Sequence, residues 1–266
     1  MARVKNKVVW VTGASSGIGE ALVKVLAEKD TKLILSSRNE ATLDKVLNSL
    51  PKNAQANARI LPLDLSQPDT LDTKAKEALN FFGRIDIIFH SGGISQRSMA
   101  IDTTIEVDRR IMEVNYFGTI ILTKAILPSM VDNGFGHIVA ISSLVGKFGS
   151  PFRSGYAASK HALHGFFDSL RAEIYQQNIF VTLVTPGFVK TNVSINALTE
   201  DGKKLNQMDE AQKKGMSAED CARKIISGVE KEKNEILIGG KEIIAVYLKR
   251  FFPRYFTKFI RQANVR

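Results

Sequence analysis

The stretch Lys7-Val-Val-Trp-Val-Thr12-Gly13-Ala-Ser-Ser-Gly17-Ile-Gly19 decides how this chain folds. An apolar, β-branched run ends abruptly in three glycines spaced GxxxGxG, and Leu22, Val25 and Leu26 behind them fall on one helical face. Strand, glycine loop and helix in that order suit a pyrophosphate. Glycines let the main chain approach it, and the new helix points unpaired N–H groups at the anion. A tight strand-to-helix turn would use the same glycines for backbone freedom alone, so the loop must be weighed with the rest of the chain.

Further apolar strands are expected at Lys32–Ser36, Ala58–Leu63, Ile85–Phe89, His137–Ile141, Phe180–Val184 and Glu235–Ile238. Helical patterns fill the gaps, notably over about 40–50, 104–131 and 155–177. Short, almost wholly apolar strands alternating with helices are the pattern of a parallel sheet covered on both faces. The fold class expected is therefore α/β: a Rossmann-type, doubly wound, mainly parallel seven-stranded sheet. No repeat or Pro/Gly-rich linker divides it, so residues 1–240 read as one domain. Two segments stand apart, a polar stretch at about 192–216 and a tail at 241–266.

The 266 residues are 44% hydrophobic and 24% charged, the balance of a globular protein with a sizeable core. A single cysteine, Cys221, excludes an intramolecular disulfide and fits a reducing compartment. The four histidines lack ligand spacing, so no metal site is expected. Neither a cleaved signal peptide nor a transmembrane helix is expected, since there is no long h-region and no run of about 20 apolar residues. A cytoplasmic location follows as the expectation.

Net charge is +10, and seven basic residues against Glu242 alone put more than half of it in 241–266. There Ile244, Leu248, Phe251, Phe252, Tyr255, Phe256 and Phe259 recur at helical spacing, interleaved with Lys249, Arg250, Arg254 and Lys258. Such a stripe packs on protein or lies on an anionic membrane surface. Pro253 should kink it or start a second helix. With most of the charge in one amphipathic tail and no aromatic-basic reading motif, nucleic-acid binding is not expected.

Two further features bear on chemistry. At the end of the second strand stands Ser36-Ser37-Arg38 where an acid would bind the ribose hydroxyl of NAD. Arg38, Ser37 and Ser15 suit a 2′-phosphate, which favours NADP(H) over NAD(H). Tyr156-Ala-Ala-Ser-Lys160, with Ser143 upstream, puts a phenol and an ammonium on one helical face. An ammonium there is expected to pull the tyrosine pKa down from about 10, towards acid/base work at a carbonyl.

In this order the motifs resemble the short-chain dehydrogenase/reductase family over about residues 5–240, with a softer likeness to its hydroxysteroid-dehydrogenase-like and lipid-reductase-like branch. The resemblance implies catalytic roles for Asn115, Ser143, Tyr156 and Lys160. It assigns the cofactor to Gly13, Ser15, Ser16, Gly17, Ile18 and Gly19 in the loop, Ser37 and Arg38, Asp64 and Leu65, and Ser91 and Gly92. Asn115, Tyr156, Lys160, Pro186, Gly187, Val189 and Thr191 complete that set. One departure is that His90-Ser91-Gly92-Gly93 replaces the family's common Asn-Asn-Ala-Gly, which leaves His90 as a candidate buried brace.

By the same resemblance, Tyr156 protonates the oxygen of a carbonyl while hydride reaches its carbon. Lys160 tunes the phenol and holds the nicotinamide ribose, Ser143 binds the substrate oxygen, and Asn115 holds a water linking Lys160 to solvent. Residues 192–216 are the variable substrate loop, the partner is a carbonyl or alcohol, apolar or lipid-like, and the assembly is a homodimer or homotetramer. A noncatalytic NADP(H)-binding regulator on the same fold is the competing reading; the intact Ser143, Tyr156 and Lys160 argue against it.

Overall fold

The computed structural model describes residues 4–262. Among these the strands are β1 Val8–Thr12, β2 Lys32–Ser36, β3 Ala58–Ile60, β4 Ile87–His90, β5 Gly136–Ile141, β6 Ile179–Pro186 and β7 Glu235–Ile238. They form one parallel sheet in the order β3-β2-β1-β4-β5-β6-β7. The helices are α1 Gly17–Ala27, α2 Glu40–Asn48, α3 Lys52–Ala56, α4 Pro68–Phe82, α5 Ile105–Met112, α6 Gly118–Asp132, α7 Ser154–Glu173, α8 Glu210–Lys213, α9 Ala218–Glu230, α10 Ile244–Phe251 and α11 Pro253–Gln262.

Alternation along each strand divides the core. Val9 and Val11 of β1 join the α1 and α9 side with Leu22, Leu26 and Ile225. Val8 and Trp10 face the α4, α6 and α7 side with Leu71, Ile126 and Phe167. A sheet covered on both faces needs apolar residues at every strand position, which is why its strands read as continuous apolar runs.

Several boundaries moved from those expected, each for a local reason. β3 stops at Ile60 because Pro62 has no N–H to continue a ladder; Leu61 still donates to Leu35 of β2, and Leu63 to Ser37 just beyond it. β4 begins at Ile87 because Asp86 turns its carboxylate onto the Val8 N–H at 2.8 Å and pairs with Arg84. β6 runs longer, to Pro186, where β7 matches it.

The helix expected over 104–131 is α5 and α6 joined by one π-helical turn, Glu113–Phe117. By length and composition Ile105–Asp132 is apolar enough to cross a membrane. In the fold it covers the sheet, with Leu122, Thr123, Ile126 and Met130 buried. In the tail Pro253 starts α11, as one of the two alternatives held.

His90, the residue expected as a candidate buried brace, is buried and hydrogen-bonded. Its Nε2 lies 2.9 Å from Thr123 Oγ1, and that hydroxyl spends its only proton on the Thr119 carbonyl. The ring must therefore donate through Nε2. The same count applies to His137, whose Nε2 meets Thr182 Oγ1 while Thr182 donates to the Lys233 carbonyl. Burial pushes both rings down, His90 to about 3 and His137 to about 4, so both are neutral at pH 7.

The unfolded chain charges these two histidines near pH 6.5 and the folded one does not, so protonation pulls towards unfolding below that pH. The urea midpoint should therefore fall as pH drops from 7 towards 4. Ring NMR should show His90 and His137 as Nε2–H tautomers; a protonated ring in the folded protein at pH 6 would refute the assignment.

Candidate active site

The strand order reverses between β1 and β4, which leaves a crevice beyond their carboxyl ends. Thr12 and His90 are paired neighbours there, so the chain turns out of both strands side by side. Gly13 has φ +69°, and a Cβ on it would lie 2.7 Å from the Gly92 nitrogen. Gly19 enters α1 so close behind that a Cβ would run into the Gly13 carbonyl. Only glycine meets both demands.

A cavity of about 800 Å³ opens over this turn. Every residue assigned above to the cofactor lines it except Gly19 and Asn115. The α1 N-terminus stands at its floor, with Ser16 in extended conformation before the first turn and its hydroxyl making no cap bond. Arg38 is exposed at the rim, with no ion pair among the described residues, beside Asn39, which caps α2 by accepting from the Thr42 N–H. Glycine main chain, a helix N-terminus and a free guanidinium make a cradle that fits a dinucleotide.

Asn115 sits behind this cavity on the π-turn and is fully buried. Its Oδ1 accepts from the Ile94 N–H at 2.8 Å, and its Nδ2 donates to the Ile94 carbonyl and to Ser159 Oγ, each at 2.9 Å. It thus ties α7 to the turn after β4. Thr119 donates to its main-chain carbonyl. π-turns are rare in helices and recur at functional sites.

Tyr156 and Lys160 are one turn apart on α7, and Ser143 caps the 3-10 turn Leu144–Gly146 beyond β5. Ser143 Oγ accepts from the Val145 N–H at 3.4 Å and lines the same wall as Tyr156. The expected effect of the ammonium on the phenol is not what the structure has. Burial raises the Tyr156 pKa; the Ser143 hydrogen bond and the charges of Arg97 and Arg153 pull against it. Lys160 turns its Nζ to the Ile141 carbonyl at 2.8 Å and lies 5.7 Å from the Tyr156 ring centroid, so it is not aimed at the hydroxyl. Burial pushes Lys160 down to about 8.

Tyr156 also faces a second, largely apolar cavity of about 270 Å³, walled by Phe148, Phe188, Val193, Ala245, Phe259 and Ile260 among others. Ser143, Tyr156, Pro186 and Gly187 line both cavities. The polar part of the second is a buried cluster. Asp209 Oδ2 accepts from Arg97 Nε at 2.9 Å and Nη2 at 2.6 Å, and from Arg153 Nη2 at 3.2 Å. Burial pushes Arg153 down to about 10, with Arg97 adding to the shift and Asp209 opposing it.

Sequence reading missed this cluster and also Gln96. Gln96 Oε1 accepts from the Gly155 and Tyr156 N–H groups, capping α7 from a loop about sixty residues away, and Nε2 reaches Ser98 and Thr103. The three charged members come from loops scattered along the chain. Their pairing leaves no local pattern. Segment 192–216, read as polar and weakly periodic, contributes Asp209 and buries Ala197 and Leu198; Leu198 bridges to Gln96.

An α/β crevice of this kind with Tyr, Lys and Ser at its mouth belongs to a dinucleotide-dependent oxidoreductase. Residues 7–202 match the short chain dehydrogenase family, and the chain belongs to it, sharing its general NAD(P)(H)-dependent oxidoreductase activity. Among relatives, Dehydrogenase/reductase SDR family member 7B of Mus musculus is 42% identical over 263 residues, covering 97% of this chain and 81% of that protein. Dehydrogenase/reductase SDR family protein 7-like of Anopheles gambiae is 44% identical over 251 residues, 93% of this chain and 79% of its own. A short-chain dehydrogenase from Streptomyces avermitilis superposes with a TM-score of 0.81 at 25% identity, covering 97% of this chain and 96% of that one. A Burkholderia phymatum short chain dehydrogenase/reductase solved in complex with NAD shares the fold, with a TM-score of 0.84 at 22% identity over 96% of each chain.

Removing the carboxylate of the buried cluster would leave two adjacent guanidiniums without it. Asp209→Asn should cost about 3–5 kcal/mol, as for breaking a buried ion pair. Asp201→Asn, at an exposed pair with Lys203, should leave the urea midpoint close to wild type. Equal midpoints for the two variants would remove the cluster from the account of stability.

Proposed function

We propose that the protein interconverts a carbonyl and a secondary alcohol with NADP(H), with Tyr156 as general acid/base and an apolar or lipid-like substrate. The observation that carries this reading is the position of Tyr156 and Ser143 on the wall shared by a nucleotide-sized crevice and a smaller apolar cavity. The cofactor supplies the hydride when bound. The remaining work falls to side chains of this chain. Ser143 donates to the substrate oxygen, a bond that strengthens as charge builds there. Tyr156 gives that oxygen its proton, and its raised pKa keeps the phenol protonated for reduction at neutral pH.

Lys160 keeps its charge 5.7 Å from the Tyr156 ring centroid and offers Nζ donors to the ribose. Asn115 keeps one Oδ1 lone pair beyond its bond to Ile94, enough for a water that returns the proton. For NADP(H) over NAD(H), support comes from Arg38 at the crevice rim with no acid at the end of β2. The tail supplies contact with an anionic membrane surface, at the cytoplasmic face, and the subunits form a homodimer or homotetramer.

Tyr156→Phe should lower carbonyl reduction about 10²–10⁴-fold at saturating NADPH. Undiminished turnover of a confirmed substrate would end the proposed role. Arg38→Ala should weaken NADPH binding and spare NADH binding, read by nicotinamide fluorescence titration.

The reductive rate also carries a pH signature. Lys160 is charged below about 8 and neutral above it, so kcat/KM for reduction should fall as pH rises through 8. A profile flat to pH 9.5 would remove Lys160 from the rate-determining electrostatics.

A further inference from the structure

The hairpin of α10 and α11 has two faces of different character. Its inner face is held by Phe256, buried against Phe148 with ring centroids 5.2 Å apart, and by Ala245. Its outer face leaves Tyr247, Phe251, Phe252 and Tyr255 between 53% and 70% exposed. Lys249, Arg250, Arg254, Lys258 and Arg261 are interleaved with these aromatics, and no acid occurs from 243 to 262. Phe259 belongs to both faces: it lines the apolar cavity beside Tyr156, and it is 53% exposed. Phe259 therefore joins the wall of that cavity to the aromatic, basic face.

We propose that this hairpin is a portal seated on anionic lipid, through which an apolar ketone passes from the bilayer directly to Tyr156. The portal rests on the carbonyl-reductase reading for what it delivers, though not for the docking itself. A membrane fits the surface better than a second copy of the chain does. Symmetric pairing would set the five cations of one hairpin against those of the other with no acid to separate them. An anionic bilayer answers both properties at once, taking aromatic side chains at the headgroup boundary and gaining from each Lys or Arg near its surface. Delivery from the acyl region spares an apolar substrate the crossing of water, a cost that rises with every exposed methylene.

Vesicles of phosphatidylcholine with phosphatidylserine test this on the whole chain. Wild type should co-sediment with them, lose binding in 1 M NaCl, and bind poorly to phosphatidylcholine alone. Arg250→Ala/Arg254→Ala/Lys258→Ala should weaken the binding on the order of 100-fold. The variant Tyr247→Ser/Phe251→Ser/Phe252→Ser/Tyr255→Ser should lose it while keeping the wild-type melting temperature.

A tryptophan at this junction, Phe259→Trp, should be quenched by brominated lipid in anionic vesicles, a readout independent of turnover. Unquenched emission, or equal binding by all variants, would overturn the portal. Light scattering that shows a lipid-free dimer of wild type dissolved by the serine variant would overturn it too, in favour of a second copy.

Activity separates the two readings. With 2-tetradecanone in the vesicles, wild type should reduce it faster than the serine variant does, while water-soluble 2-butanone is reduced equally by both. Quenching without reduction of either ketone would count against the reductase reading and leave the docking standing.

Discussion

The chain turns out of β1 and β4 with no room for a side chain between the two turns, and the crevice depends on that contact. Gly13 lies against the Gly92 main chain, and Gly19 brings α1 down onto Gly13. The pairing of Thr12 with His90 sets the two turns at the same height. Because the strand order reverses there, chain leaving β1 goes one way and chain leaving β4 the other, and the space between them stays open. A parallel sheet makes such a crevice wherever its order reverses. Glycine decides whether main-chain N–H groups can reach its floor.

Electrostatics at the mouth is governed by burial more than by the neighbouring ammonium. Tyr156 and Lys160 are both shifted towards their neutral forms, the phenol upward and the ammonium downward, and desolvation is the main cause in each case. Opposing it at the phenol are the Ser143 hydrogen bond and two guanidiniums. For the proton donation proposed for Tyr156 this is a favourable starting point, since the acid form is kept until charge develops nearby. The Ile141 carbonyl holds Lys160 in place meanwhile, at the end of the same strand that leads to Ser143.

The sheet was legible because its inner strands are buried on both faces and therefore read as apolar runs, and β2 and β7 fall where such runs lie. Boundaries were less so, because one proline or one aspartate competing for a strand N–H shifts them, as at Pro62 and Asp86. The positions of Tyr156, Lys160 and Ser143 could be read from spacing, since four residues on a helix fix a shared face. Their electrostatics could not. Spacing along α7 says the ammonium and phenol are neighbours, but the direction of Nζ is decided by a carbonyl on β5. The cluster of Arg97, Arg153 and Asp209 has no periodic signature at all, because its members come from three separate loops.

That cluster gives the polar segment a structural meaning its composition concealed. Asp209 ends the variable stretch before α8, Arg153 stands just before α7, and Arg97 lies in the loop after β4. One carboxylate oxygen therefore joins segment 192–216 to the helix that carries Tyr156 and to the loop braced by Asn115. Burial makes this junction demanding, because a displaced Asp209 would leave two guanidiniums out of water without their shared carboxylate. Gln96, next to Arg97, meanwhile holds the first N–H groups of α7. Displacing the segment at Asp209 thus disturbs the two guanidinium charges that act on the Tyr156 phenol, so a stretch distant in sequence is wired to that residue.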